Sequence, residues 1–400
     1  MKKLLSILLS ILLVSALAFS VTACKKGDEE SVDENVDPVT MTVKVEIDDE
    51  TDEETHTLTE FSLSAAAKKY VDENDYAGLK SLFARHADNT KAFTFDANND
   101  VTFTIPQDVT HIASNAISNQ SFIKHIVIGD NVKEISLGAF AGVSGVESIT
   151  LPFVGAKLGA TNSEKVFSHI FGSIGGTGLT SVTQTFNDGA ENNTVSYYVP
   201  TSLKKVIVTG DVKCEATTYN YYIDEIDGKE TMIVVKDGET APEGKTLLTL
   251  TTNDYAQSAV QPYAFAGVTT IESVEFKGAI TEIPEHTFFG CTAIKSLDFT
   301  GSTIETIGKY AYANCTALRT LTLGSVTKIL EGAFNGCTTL GVGTKLTVNN
   351  VDFALVTEIG KDAFVGCSSL KAENILNLAS AIDKDAAFGE DKWEDEEENA

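Results

Sequence analysis

A short motif in which alanine precedes an aromatic residue returns every 22 to 30 residues through the C-terminal part of the chain. It reads A-F-N-G-C-T from Ala333 and A-F-V-G-C-S from Ala363, and an earlier copy begins at Ala139. Self-similarity at this period predicts a solenoid, because a unit of this length buries its apolar face only against its neighbours. Such a scaffold displays a surface and needs no catalytic centre, so the repeat favours binding over catalysis. The aromatic positions of the array are Phe140, Phe265, Phe288, Tyr312, Phe334 and Phe364.

Each unit begins with alternating apolar and polar residues and ends with the motif. Residues 271–291, for example, read I-E-S-V-E-F-K-G-A-I-T-E-I-P-E-H-T-F-F-G-C, and residues 123–140 follow the same plan. Alternation with period 2 predicts short strands with one buried face. We therefore expect a predominantly β solenoid of α/β type, in which short strands are joined by turns or short helical segments.

This pattern resembles the BspA-like leucine-rich repeat, whose consensus runs roughly L-x-x-I-x-I-P-x-x-V-x-x-I-G-x-x-A-F-x-x-C. The resemblance covers about residues 101–153 and 259–390, and segments between 149 and 210 resemble a longer variant of the repeat. It implies a curved, right-handed leucine-rich repeat array. It also implies a surface-exposed or secreted protein of bacteria or protists that binds partners, as most members of this family are.

Two regions outside the regular repeats have their own patterns. Residues 40–96 form a small α/β segment or an N-terminal cap: Met41–Ile47 alternates as a strand, Thr55–Phe61 is its predicted hairpin partner, and Ser64 is a plausible helix N-cap. Residues 211–258 lack the motif and predict an insertion, a hairpin turning at Asp227-Gly228. The repeats themselves are expected in two blocks, 97–210 and 259–389.

The N-terminus predicts a targeting segment. Lys2 and Lys3 precede an apolar run from Leu4 to Phe19, and the small residues that follow end in Cys24. This arrangement resembles the lipobox of bacterial lipoproteins, which implies a signal peptide over 1–23, cleavage before Cys24 and a lipid on that cysteine. Residues 24–39 are a polar, acidic tether. The protein would then be exported and anchored to a membrane, facing outward; an uncleaved transmembrane anchor is the alternative.

The net charge of the chain is −27, and most of it lies in two segments. Residues 28–60 carry a net charge of −13, and the acidic tail at 390–400 carries −6. Such segments are solvated and self-repelling. Because phosphate binding needs a basic surface, we expect no nucleic-acid partner.

Four cysteines occupy the same position in successive repeats, at spacings of 24, 22 and 30 residues. They should stack along the solenoid, and three interpretations stay open. A buried ladder of free thiols is favoured. Disulfides are possible in an oxidising compartment, whereas a zinc site lacks the usual C-x₂-C pairs. The aromatic column is interpreted as core, not as a ligand platform. The cysteines of the ladder are Cys291, Cys315, Cys337 and Cys367.

No motif of a known catalytic centre occurs in the sequence. The six histidines are scattered, and neither a nucleophile elbow nor a phosphate-binding loop is present. Asp96, Asn98 and Asp100 have the spacing of a calcium loop, but the glycine and the later glutamate of that loop are missing. A polar turn is the other interpretation. We expect no catalytic residue, no metal and no cofactor.

The outward positions of the first strand in each repeat are the candidate binding face. Alternation directs every second side chain away from the core, and hydroxyls and short acids dominate these positions. Repeat proteins often bind along an extended face of this kind; a merely solvated strand face is the alternative. The candidate residues are His125, Ser148, Thr150, Lys205, Ser273, Glu275, Ser296, Asp298, Thr320 and Thr322.

Three functional hypotheses follow. The leading one is a lipid-anchored bacterial surface protein that binds an extracellular protein or glycan, as in adhesion. The second is a structural spacer or envelope component without a specific ligand. The third, a hydrolase, would need a convergent acid and base within residues 154–258, and no motif there supports it.

Overall fold

A computed structural model shows a stack of coils whose short parallel strands form two columns. Consecutive coils contribute one strand to each column, and the motif lies at the turn that follows the second strand. The residues that the structure describes are 35–48, 50–87, 90–187, 192–213, 215–226, 229–235, 248–255, 257–342 and 349–390.

A hairpin and two helices precede the coils, and the sequence predicts the hairpin and the helix that follows Ser64. The Ser64 hydroxyl accepts a hydrogen bond from the Ala67 amide at 3.3 Å, so it caps the first helix. The second helix is capped in the same way by Asp75, which accepts from Gly78 at 2.8 Å. These elements are β1 (Val39–Ile47), β2 (Glu54–Leu63), α1 (Ala65–Asp72), α2 (Tyr76–Arg85) and β3 (Phe93–Phe95).

The first block of coils contains regular strands and then a longer unit. In that unit two 3₁₀ turns, Asn162–Lys165 and Phe167–Phe171, are followed by an antiparallel hairpin of β9 and β10 that the sequence analysis did not predict. The strands of this block are β4 (Val101–Thr104), β5 (His111–Ile112), β6 (Ile123–Val127), β7 (Glu134–Ile135), β8 (Ser148–Leu151), β9 (Leu179–Asn187), β10 (Asn192–Pro200) and β11 (Lys205–Val208).

The region predicted to be a hairpin insertion contains three strands. β12 (Glu215–Ile226) pairs antiparallel with both β13 (Lys229–Val235) and β14 (Leu248–Asp254). The predicted turn at Asp227-Gly228 lies outside the described residues, and Ile226 pairs with Lys229 on either side of it. The third strand was not predicted.

The second block returns to short coils and ends in a one-turn helix. It also includes a 3₁₀ turn at Ala372–Asn374. Its elements are β15 (Ser273–Phe276), β16 (Glu282–Ile283), β17 (Ser296–Asp298), β18 (Thr306–Ile307), β19 (Thr320–Thr322), β20 (Lys328–Ile329), β21 (Val351–Asp352), β22 (Glu358–Ile359), β23 (Ile375–Leu376) and α3 (Lys384–Phe388).

The first strand column divides into three sheets. A six-stranded sheet has the order β15-β11-β8-β6-β4-β3, and the pairs β17-β19 and β21-β23 follow it. The second column forms two four-stranded sheets, β1-β2-β5-β7 and β16-β18-β20-β22. Because β2 joins β5 in parallel and shares its core with the coils, the N-terminal unit caps the array.

One apolar core runs from Val39 to Phe388. Stacked rings form its centre: Phe288 lies 4.9 Å from Tyr312 between ring centroids, and Tyr312 lies 5.5 Å from Phe334. Phe388 of α3 stacks on Phe364 at 4.9 Å and closes the C-terminal end. The fold is thus a repeat array made mostly of strands, and its right-handed winding stays a prediction.

Candidate binding surface

Parallel pairing brings the candidate residues of the first block into two rows. The strand register aligns the residues of the first row and likewise those of the second, and Val127 and Ile207 share the second row with the candidates. The first row is His125, Ser148, Lys205 and Ser273, and the second row is Val127, Thr150, Ile207 and Glu275.

Burial alternates along these strands as a one-sided sheet requires. Between the two rows, Ile126, Ile149 and Val206 are at most 1% exposed, whereas Val274 is half-buried. The residues of both rows are half-buried or exposed. The candidate face therefore points away from the core, whereas its role in binding stays a prediction.

Glu275, an acidic residue of this face, forms ion pairs with two lysines. The Glu275 carboxylate lies 2.8 Å from the Lys205 ammonium and also pairs with Lys277. Hydrogen bonds from these two lysines lower the pKa of Glu275. Next to them, the His125 ring nitrogen Nδ1 lies 2.8 Å from the Ser148 hydroxyl. The face is thus a set of partnered polar groups, not a row of free acids.

A ladder of alternating charges flanks the first row, and sequence analysis missed it. Each member directly precedes a residue of the first row or its equivalent. Lys124 lies 2.8 Å from Glu147, and this hydrogen bond raises the pKa of Lys124. Glu272 lies 3.9 Å from Lys204 and 3.1 Å from Lys295. Aligning I-K-H-I-V-I, V-E-S-I-T-L, L-K-K-V-I-V, I-E-S-V-E-F and I-K-S-L-D-F would have shown the signal, since their second letters read K, E, K, E, K.

A cleft opens in the strand column between β15 and β17. Within the described part of the chain, β15 pairs with β11 and β17 pairs with β19, but no ladder joins β15 to β17. The opening has a volume of about 420 Å³. Four candidate residues line it, so the structure brings together Ser273 and Glu275 on one side and Ser296 and Asp298 on the other.

The floor of this cleft is apolar and partly exposed. Val274, Phe276 and Leu297 are half-buried, although the equivalent Ile149 and Leu321 are buried. At its rim, the Asp298 carboxylate accepts a hydrogen bond from the Thr300 amide at 2.9 Å, and bonding with Thr300 lowers the pKa of Asp298. The cleft therefore combines a polar rim with an apolar base, as ligand sites commonly do.

The last two candidates, Thr320 and Thr322, lie on β19 beside a smaller opening. This opening, of about 330 Å³, separates β19 from β21 and is lined by Thr322 and Leu355. Leu355 is 60% exposed, which is unusual for a large apolar side chain in this protein. In the described part of the second block, the strand column is thus open between β15 and β17 and between β19 and β21.

The cysteine ladder is buried away from this face. None of these four cysteines is in a disulfide, and each thiol donates to the carbonyl of an aromatic residue in the preceding coil, as Cys315 does to Phe288 at 3.2 Å. Burial raises the pKa of Cys315 to about 12. The described residues hold no group of three or more metal-ligating side chains. The ladder therefore acts in packing, and the disulfides considered above do not form in this structure.

Asp96 closes a turn in place of a calcium loop. Its carboxylate accepts hydrogen bonds from the amides of Asn98 and Asp100, both at 2.8 Å. The Lys80 ammonium lies 3.1 Å from the Asp96 carbonyl oxygen, so a cation already occupies the neighbourhood. The arrangement matches the polar-turn interpretation.

The predicted lipidation site, Cys24, lies outside the described residues. The same holds for the signal peptide and most of the tether. In the part of the chain that the structure describes, no helix is long and apolar enough to cross a membrane.

Comparison with solved structures finds leucine-rich repeat proteins at low similarity. A leucine-rich repeat protein of Bacteroides ovatus matches with 18% identity and a TM-score of 0.27, over 68% of this chain and 59% of that one. The leucine-rich repeat protein TpLRR of T. pallidum matches with 14% identity and a TM-score of 0.28, over 70% and 88%. One from Eubacterium ventriosum matches with 12% identity and a TM-score of 0.24, over 86% and 98%.

The family comparison covers more than half of the chain. A search of curated proteins finds no match. The family model described as the BspA type leucine-rich repeat region matches residues 46–167 and 258–392 in six copies. The long unit's hairpin and the three-stranded insertion lie in the unmatched gap. The coils, their motif and this match agree, and the chain belongs to the BspA-type leucine-rich repeat family.

Proposed function

We propose that this protein is a lipid-anchored bacterial surface protein that binds an extracellular protein or glycan through its strand column. The observation that carries the proposal is the register of the outward residues across β6, β8, β11 and β15, which makes one extended polar face. Families of this repeat type act in protein interaction or adhesion and are typically displayed on bacterial surfaces. They are generally binding or structural proteins, not enzymes.

The anchor rests on the sequence around Cys24. A basic start, an apolar run and a small-residue stretch ending in cysteine support lipidation there. Mass spectrometry of the N-terminal peptide from the native membrane fraction tests it. We expect a mature chain beginning at Cys24 with an added diacylglyceryl mass, and an unmodified soluble chain with another start would refute the anchor.

Binding can be tested with a soluble form comprising residues 25–400. Glycan arrays and arrays of extracellular matrix proteins would be probed with this form. We expect at least one reproducible ligand. A clean negative on both would favour a structural spacer instead, because a spacer needs no specific partner.

The binding face can then be tested with a paired charge reversal. Glu275→Lys together with Asp298→Lys should lower the affinity for the ligand found on the arrays about tenfold or more, since both acids lie on the rim of the cleft. A matched control is Glu60→Lys with Asp108→Lys, two exposed acids elsewhere. Unchanged binding in the first variant, with an intact far-UV circular dichroism spectrum, would exclude the proposed face.

A further inference from the structure

The two strands that border the large cleft present unused backbone edges to it. The Ser273 amide donates to the Lys204 carbonyl at 3.1 Å, and the Lys277 amide donates to the Val208 carbonyl at 2.8 Å. The backbone groups of Ser273 and Lys277 therefore point toward β11. Residues alternate in direction along a parallel strand. The amide and carbonyl groups of Val274 and Phe276 therefore face the cleft.

The opposite edge is built in the same way. The amide of Phe299 donates to the carbonyl of Thr322 at 2.9 Å, so this residue is directed toward β19. By the same alternation the backbone groups of Ser296 and Asp298 face the cleft. Two parallel edges thus lie opposite each other with no ladder between them in the described residues. Unpaired edges are strong sites for strand addition.

The opening is bounded, because the two coils stay stacked elsewhere. β16 pairs with β18, and the Phe288 amide donates to the Ala311 carbonyl at 2.8 Å. At the start of the strands the Glu272–Lys295 ion pair joins the coils at 3.1 Å. The cleft is therefore a local separation of strands within an otherwise continuous array.

We propose that this cleft receives an extended peptide segment of a partner protein, which adds a strand between β15 and β17. The inference rests on the proposed function and names the class of partner. The segment's backbone pairs with the free edges, and an apolar side chain packs on Val274, Phe276 and Leu297. β15 has four residues, which span about 13 Å, so the paired part of the ligand is about four residues long.

The chemistry of the cleft favours a polypeptide over a glycan. Two facing rows of alternating donors and acceptors match an extended backbone, which gives affinity by main-chain pairing and specificity through every second side chain. Lysines pair with both glutamates beside the cleft, since Lys204 and Lys295 pair with Glu272 while Lys205 and Lys277 pair with Glu275. The segment should therefore be uncharged, with apolar residues at alternate positions.

Selection of linear 12-residue peptides on phage against the full-length chain in detergent tests the proposal. The strongest peptide, labelled with fluorescein, is then titrated by fluorescence anisotropy. We expect selected sequences with apolar residues at alternate positions, and at least a tenfold loss of affinity when the central amides are N-methylated. Failure to select any peptide, or indifference to N-methylation, would overturn the proposal.

The site is located by variants and by hydrogen exchange. Val274→Thr keeps the side-chain shape but adds a hydroxyl to the floor, so the peptide should bind about tenfold more weakly. Thr94→Val, at an exposed position of β3 away from the cleft, should bind normally. In the unmodified protein the peptide should slow exchange at Val274, Phe276, Ser296 and Asp298. Protection elsewhere would refute the site even if a variant failed to fold.

The outcome also separates this inference from the proposed function. The peptide is added in competition with the ligand found on the arrays. If that ligand depends on Glu275 and Asp298 but the peptide neither binds nor competes, strand addition is wrong and the binding face stands. If no array ligand exists and the peptide still binds at the cleft, the strand site stands and the broader face does not.

Discussion

The two blocks of coils share their turns but differ in their strands. The first strand column runs as one six-stranded sheet from β3 through the first block to β15, the first strand of the second block, whereas beyond β15 it divides into two pairs with a cleft before each. The ring stack and the thiol ladder continue through the second block without a break. The comparison indicates that the ring stack and the thiol ladder at the turns hold successive coils together. The strands of the first column can separate without breaking this stacking.

The side chains inside the strands explain where the opening lies. The coils of the first block carry Ile128, Leu151 and Val208 at the inward position that Phe276 and Phe299 occupy in the two coils around the large cleft. Phe276 lies 6.5 Å from Phe288 between ring centroids, and Phe299 lies 6.4 Å from Tyr312. We attribute the separation of the strands to the extra ring that each of these coils holds beside the stack, because packed interiors do not absorb added volume freely.

The largest effect should come from the feature that both blocks share. Phe140→Ala in the first block and Phe334→Ala in the second each remove a fully buried ring, which should cost about 3–5 kcal/mol of unfolding free energy. Urea denaturation followed by circular dichroism measures both. A much smaller cost for Phe334→Ala would show that the second block does not depend on its ring stack.

A matched pair of valines tests the difference between strands. Val206 and Val274 are direct partners in the register of β11 and β15, yet the first is buried and the second is half-buried at the cleft. We expect Val206→Ala to cost about 2–3 kcal/mol and Val274→Ala less than about 1 kcal/mol, since less apolar surface is lost. Equal costs, measured by urea denaturation, would mean that the cleft is closed in solution.

Alkaline pH should weaken the second block, where the thiols lie. Burial holds the pKa of Cys315 at about 12 in the folded chain, whereas a thiol in an unfolded chain ionises near about 8.5. The unfolded chain therefore loses its proton first, and stability falls as pH rises between these values, by about 2 kcal/mol at pH 10 for Cys315.

The first block offers the control, because Val143 stands where the second block has cysteine. Cys315→Val should therefore remove part of the alkaline loss while leaving stability at pH 7 nearly unchanged. Urea midpoints at pH 7 and pH 10 would be compared for both proteins. An alkaline loss that is the same in the variant would place its origin elsewhere.

The smallest effects belong to the charge ladder. Glu147→Gln and Glu272→Gln each break exposed ion pairs, so each should cost below about 1 kcal/mol, and less at high salt. They differ in place: Glu147 lies in the continuous sheet, and Glu272 joins the coils across the large cleft. Hydrogen exchange at the paired amides of Ser273 and Phe299, on the two strands that border the cleft, should rise only in Glu272→Gln. The same increase in exchange in Glu147→Gln would show that Glu272 does not join the two coils across the cleft.

Sequence predicts this fold wherever the pattern is local and repeated. The motif predicts the stack of Phe288, Tyr312 and Phe334, and the alternation of apolar and polar residues predicts the outward rows. Both predictions depend only on residues that are close in sequence. The N-cap at Ser64 is confirmed for the same reason. The hairpin of β9 and β10 was missed because its strands lie inside a stretch interpreted as a variant repeat.

The cleft was beyond prediction for a physical reason. Alternation in β15 and β17 is as regular as in β6 or β8, so each strand by itself predicts a continuous sheet. The separation depends on how the Phe276 and Phe299 rings of two successive coils pack together in the core. Four of the ten candidate residues meet there, but neither their meeting nor the lysines that pair with Glu275 can be derived from the spacing of single repeats.

The hydrogen bond from each ladder thiol to the coil before it has a consequence for how such a protein changes length. Cys315 bonds to Phe288, and Cys337 bonds to Tyr312, so every coil of this ladder contacts its predecessor through the same pair of groups. Removing or duplicating one whole unit would leave each remaining thiol facing an equivalent carbonyl. Insertions and deletions of whole coils in a gene of this kind would therefore change the distance of the cleft from either end of the array without requiring a new core.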